Sequence, residues 1–122
     1  MRLVEPVNIP AQAVPLRVLI VEDSHEDTLL LLHELRRGGY SPEYQIVNDK
    51  PSMRAALAQQ DWDIVVTEYR LPHFSSQAAL NLVKAHGVDI PVIIVSGNTH
   101  ENFAAQMMRS GAQDYVMKVN LT

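Results

Sequence analysis

The sequence predicts a doubly wound α/β domain: five parallel strands in the order 2-1-3-4-5, with helices on both faces. Short apolar, β-branched runs alternate with helical stretches along most of the chain. The runs are near-continuous in hydrophobicity, as expected of strands buried on both faces. The links between them span roughly two to seven residues, the length that βαβ units use.

The first 15 residues carry Pro6, Pro10 and Pro15 without a regular apolar period, so residues 1–15 read as an arm or linker. The domain is placed at 16–122. Leu16–Val21 is the first strand and runs straight into Glu22-Asp23-Ser24. Ser24 followed by Asp27 has the spacing of a helix-start box. Leu29, Leu30, Leu32, His33 and Leu35 continue as a helical stripe, Arg36 and Arg37 suit its C-terminal dipole, and Gly38-Gly39 end it.

Tyr44–Val47 is the second strand. Asn48 or Asp49 caps the next helix, with Pro51 in its first turn and Met53, Ala56 and Leu57 facing inward. The third strand is the run from Asp63 to Thr67, ending on Glu68. A proline turn at Pro72 follows, and Ser75 or Ser76 opens a helix that Gly87 closes. Pro91–Val95 is the fourth strand and ends at Ser96-Gly97. Thr99 starts a helix bearing Phe103, Ala104, Met107 and Met108, with Gly111 as its stop. Asp114–Met117 is the fifth strand, ending at Lys118. A doubly wound sheet calls for a closing helix after it, and none follows before Thr122. The expectation is a segment of a longer protein, or a last face covered by a partner.

Composition bounds the function. A chain of 122 residues makes one domain with a single core. A net charge of −4 gives no electrostatic footprint for nucleic acid. Without cysteine there is no disulfide, thiolate metal site or thiol nucleophile. The five histidines have no metal-ligand spacing. No apolar run approaches the ~18 residues of a membrane span, and no signal-peptide pattern opens the chain. A cytoplasmic protein without membrane contact is the expectation.

In open α/β sheets, ligands bind at the carboxyl ends of strands. Glu22 and Asp23 stand at the end of the first strand, Glu68 at the third, Ser96 at the fourth and Lys118 at the fifth. Three acids in one cleft repel one another. Protonation, Lys118 or a divalent cation with oxygen ligands relieves that repulsion.

With these residues in place the sequence resembles the receiver domain of two-component response regulators, a flavodoxin-like fold, over about Leu16 to Val119. The resemblance rests on Val21-Glu22-Asp23, on Asp63 to Pro72, on Ser96-Gly97, and on Gly111 to Lys118. It implies a signalling module rather than an enzyme. It also implies Mg²⁺ held by Glu22, Asp23, Glu68 and the backbone carbonyl of Arg70. Ser96 and Lys118 take the phosphate contacts, and Tyr115 is the aromatic that shifts with them. Implied partners are a histidine kinase or phosphotransfer protein, or an output domain in the same chain. A dimer through the fourth helix and fifth strand is also implied.

The sequence departs from the family at the phosphoacceptor, where aspartate is replaced by Glu68. Glutamate reaches about 1.5 Å further, which weakens phosphorylation and Mg²⁺ binding alike. A phosphorylation-independent module, or a partial mimic of the modified state, is therefore expected. Val119 stands where many receivers carry proline. Two other readings are a receiver that is phosphorylated on an unusual carboxylate such as Asp23, and a small phosphatase-like or flavin-binding α/β domain. Against the last stands the acidic stretch from Glu22 to Asp27, which repels a phosphate, and Arg70 two residues after Glu68, where a phosphatase would carry a second acid.

Overall fold

The computed structural model describes residues 12–87, 89–97 and 101–118, with backbone alone at 101–103. Its element order is β1 (Val14–Val21), α1 (His25–Arg37), β2 (Tyr40–Val47), α2 (Lys50–Gln59), β3 (Ile64–Glu68), α3 (Ser76–Ala85), β4 (Val92–Ser96), α4 (Glu101–Arg109) and β5 (Asp114–Met117). All strand pairs are parallel and the order is β2-β1-β3-β4-β5, as the sequence predicts.

The alternation of side chains across the sheet builds two cores. Leu19, Val21, Val65, Val92 and Ile94 pack under α2, α3 and α4, together with Met53, Leu57, Leu80, Val83 and Met107. Val18, Ile20, Val66 and Val95 face the opposite side and pack against Leu32 of α1, with Leu31 and Leu35 beside it. Among the described residues α1 is the only helix on that second face. Trp62 is buried ahead of β3 and donates its indole N–H to the Ala56 carbonyl at 2.9 Å.

The helix starts follow local chemistry. Ser24, Asp49 and Ser75 accept the N–H of Asp27, Ser52 and Ala78, so each satisfies an otherwise orphaned donor. Gly111, at φ +108°, turns the chain after α4, where a side chain is strained.

β3 and β4 lie one residue later than the sequence reading has them, and two strand starts differ from it by more. β1 starts at Val14 and takes in Pro15, a residue the sequence reading assigns to the arm. β2 starts at Tyr40 and takes in Pro42. Both prolines sit where a ladder partner is missing on one side. β2 is an edge strand, and β1 pairs with β3 only from Val18 onward. The first eleven residues, Thr99 as a helix start, the side chain of Phe103 and Val119 lie outside the described residues.

Candidate functional site

Parallel register puts the ends of the central strands on one rim. Val21 pairs with Thr67, Glu68 with Val95, and Ser96 with Met117. The residues that follow these positions therefore converge. Tyr69 donates its N–H to the Val95 carbonyl at 2.7 Å, which holds the end of β3 against β4.

At the centre of the rim is the Lys118 ammonium. Its Nζ lies 2.5 Å from Glu68 Oε2, 3.1 Å from Glu22 Oε1 and 2.5 Å from Asp27 Oδ2. The Asp27 contact is an aligned hydrogen bond. Glu68 Oε2 is buried, and its approach to Lys118 is ionic rather than an aligned hydrogen bond. The remaining Glu22 oxygen, Oε2, accepts the N–H of Asp23 at 3.1 Å and of Ser24 at 3.3 Å. Glu68 Oε1 accepts the N–H of Arg70 at 3.4 Å.

Burial pushes the Glu22 carboxyl above its usual range; Lys118 and the Ser24 N–H oppose that, while Glu68 adds to it. Burial also disfavours charge on Lys118. The carboxylates of Asp27, Glu68 and Glu22 around it outweigh burial and raise the ammonium above its ordinary value. The lysine is thus locked in its charged form at neutral pH.

The sequence reading grouped Glu22, Asp23 and Glu68. The structure instead gathers Glu22, Asp27 and Glu68 around Lys118, while Asp23 is exposed and contributes its backbone N–H. In sequence, Asp27 has the place of the distal half of a capping box. Ser24 does cap α1, accepting the Asp27 N–H at 3.2 Å, but the return bond is absent because Ser24 gives its own N–H to Glu22. The Asp27 carboxylate is left to reach Lys118. Its helical phase was the available signal, since a residue in the first turn after β1 faces the rim.

Ser96, 1% exposed at the end of β4, sits on the same rim. Tyr115 points to the opposite side of β5, where its ring lies 6.0 Å from that of Tyr69, tilted by 58°, and its buried hydroxyl has no hydrogen-bond partner among the described residues. The Arg70 side chain is exposed, and its residue bridges to Ser75.

Comparison with known proteins agrees with the fold. Residues 18–120 match the family described as the response regulator receiver domain. The response regulator protein FleR of Pseudomonas aeruginosa is 26% identical over 102 residues, covering 84% of this chain and 21% of FleR. The two-component response regulator ORR2 of Oryza sativa is 30% identical over 109 residues, covering 88% of this chain and 41% of ORR2. The chain thus spans less than half the length of these curated relatives. Among solved structures, the receiver domain of the sensor histidine kinase PA1611 from Pseudomonas aeruginosa superposes with a TM-score of 0.69 at 21% identity. That match covers 88% of this chain and 92% of the other, which holds a magnesium ion in its active-site cleft.

The donor chemistry at this rim, carboxylate and carbonyl oxygen, suits a hard divalent cation. The arrangement does not. Among the described residues no group of three acids or histidines is placed to hold a metal, and the oxygens of Glu22 and Glu68 are turned to Lys118 and to backbone N–H groups.

Proposed function

The chain belongs to the response regulator receiver domain family, and from that membership we propose a two-component signalling module that works without the usual phosphorylation, with Glu68 in the acceptor position. The observation that carries this reading is the pairing of Glu68 with Lys118 at 2.5 Å on the rim shared with Glu22. In-line phosphoryl transfer depends on positioning, and an error of about 1 Å costs on the order of 100-fold. The extra methylene of glutamate introduces a displacement of that size and directs the carboxylate into the ammonium. A fixed carboxylate there imitates the modified state only in part, since it carries one charge against about −1.5 to −2 for a phosphoryl group.

In this reading Ser96 and Lys118 occupy the positions of the phosphate contacts, Tyr115 that of the responding aromatic, and Glu22, Asp23, Glu68 and the Arg70 carbonyl those of the metal ligands. The upstream partner is a histidine kinase or phosphotransfer protein, and the downstream one an output domain in the same protein. A dimer forms through α4 and β5, where Met108 is 45% exposed. The relatives named above as response regulators support this assignment of partners.

The test is incubation with acetyl phosphate and Mg²⁺, read by intact mass. The reading expects no stable gain of a phosphoryl group. A gain that disappears in Glu68→Gln would show that Glu68 is a working acceptor, and one that disappears in Asp23→Asn would favour the unusual-carboxylate reading.

A further inference from the structure

We propose that the free edge of β2 is a self-association surface: two copies of this chain pair their β2 strands antiparallel about a two-fold axis at Tyr44, joining two sheets into one. The inference does not depend on the receiver reading, and this edge lies at the opposite end of the sheet from β5.

β2 pairs with β1 on one side, and among the described residues no strand pairs with the other. The carbonyls of Gly39 and Val47 accept the N–H groups of Val14 and Glu22, so the odd-numbered residues of this stretch bond inward to β1. By alternation Tyr40, Pro42, Tyr44 and Ile46 turn their backbone groups outward. Pro42 therefore costs the β1 ladder nothing and removes a single outward donor.

The side chains of the same four residues share one face. They register with Val14, Leu16, Val18 and Ile20, the last two of which pack toward α1. Val14, Tyr40, Tyr44 and Ile46 are between 38% and 53% exposed, and they make four of the six large apolar side chains exposed among the described residues. An apolar stripe along an open strand edge is a template for pairing with another chain.

A two-fold axis through such a joint sets the strand antiparallel to its own copy. Centred on Glu43, the joint places that carboxylate against itself, which like charge disfavours. Centred on Tyr44, it places Tyr44 against Tyr44, Pro42 against Ile46 and Glu43 against Gln45. The N–H groups of Tyr44 and Ile46 in both copies then find carbonyls, about four backbone hydrogen bonds in all. The apolar stripes meet on the α1 face, while Ser41, Glu43 and Gln45 meet on the other. A one-strand joint falls below the ~1,200 Å² of a standard interface, so the association is weak and concentration-dependent.

The chain has no cysteine, so one introduced thiol in the full chain reports the register. Tyr44→Cys brings the two substituted Cα atoms to about 5.5 Å, within disulfide range. Ile46→Cys lies opposite Pro42 and stays roughly 14 Å from its copy. With glutathione disulfide, Tyr44→Cys is expected to form the cross-linked dimer at least ~10-fold faster than Ile46→Cys on non-reducing electrophoresis. Equal rates, or no dimer from Tyr44→Cys, overturn the proposal. Sedimentation equilibrium supplies the second readout. Tyr44→Lys is expected to weaken association at least ~10-fold, whereas Met108→Lys, which removes the α4–β5 contact, keeps it. Unchanged association in Tyr44→Lys, or its loss in Met108→Lys, also overturns the proposal.

Discussion

Lys118 Nζ and Asp27 Oδ2 stand 2.5 Å apart although 91 residues separate them in sequence. The contact ties the end of β5 to the first turn of α1 across the edge where β1 and β3 deliver Glu22 and Glu68. The site and the fold therefore share one set of interactions, and changes at the site are expected to register as stability.

Lys118→Met is expected to destabilise the domain by about 3 kcal/mol, because it leaves two largely buried carboxylates without a counter-charge. The side chains concerned are 8% exposed at Glu22 and 11% at Glu68. Urea unfolding followed by circular dichroism measures this. Adding Glu68→Gln to Lys118→Met should recover part of the loss, so the two changes are non-additive.

Ser24→Ala should cost about 1 kcal/mol through loss of the α1 cap. Because the same turn carries Asp27, it should also loosen the hold on Lys118. A double-mutant cycle with Asp27→Asn is expected to show coupling, and strict additivity would count against a shared role.

Stability should depend on pH in two opposite senses. Glu22 has a raised pKa, so its contribution favours the fold at low pH and is lost as pH climbs from 4.5 through the folded value. Asp63 is held below 3.8 by the N–H of Arg17, so its contribution is present above that value and lost as pH falls through the folded one. Glu22→Gln should therefore gain on the parent as pH rises above 4.5, whereas Asp63→Asn should flatten the acid limb below 3.8. Unfolding curves from that acid limb up to neutral pH check both slopes.

Trp62→Phe should cost about 1–3 kcal/mol, since it leaves the buried Ala56 carbonyl without its donor. The chain has one tryptophan, so circular dichroism rather than fluorescence must follow the variant.

The strand order and the gathering of Glu22, Glu68, Ser96 and Lys118 at one rim were legible in the sequence, because buried parallel strands leave unbroken apolar runs whose last residues are easy to locate. The start of β2 was not. Tyr40-Ser41-Pro42-Glu43 contains a proline and two polar residues, and only its place at the sheet edge makes it a strand. Asp27 was hidden for a different reason. Ser24 and Asp27 have the spacing of a local capping pattern, and the lysine that claims the carboxylate is far away in the chain. Asp23 shows the reverse case, a residue grouped with the acids by adjacency whose side chain is exposed because Glu22 turns inward.

The central claim is that one methylene at position 68 separates this rim from a phospho-accepting one. Glu68→Asp, incubated with acetyl phosphate and Mg²⁺ beside the parent and read by intact mass, tests it most directly. The account predicts a phosphoryl group on Glu68→Asp and none on the parent. Equal labelling of both proteins, or none on Glu68→Asp while it binds the metal, would contradict it.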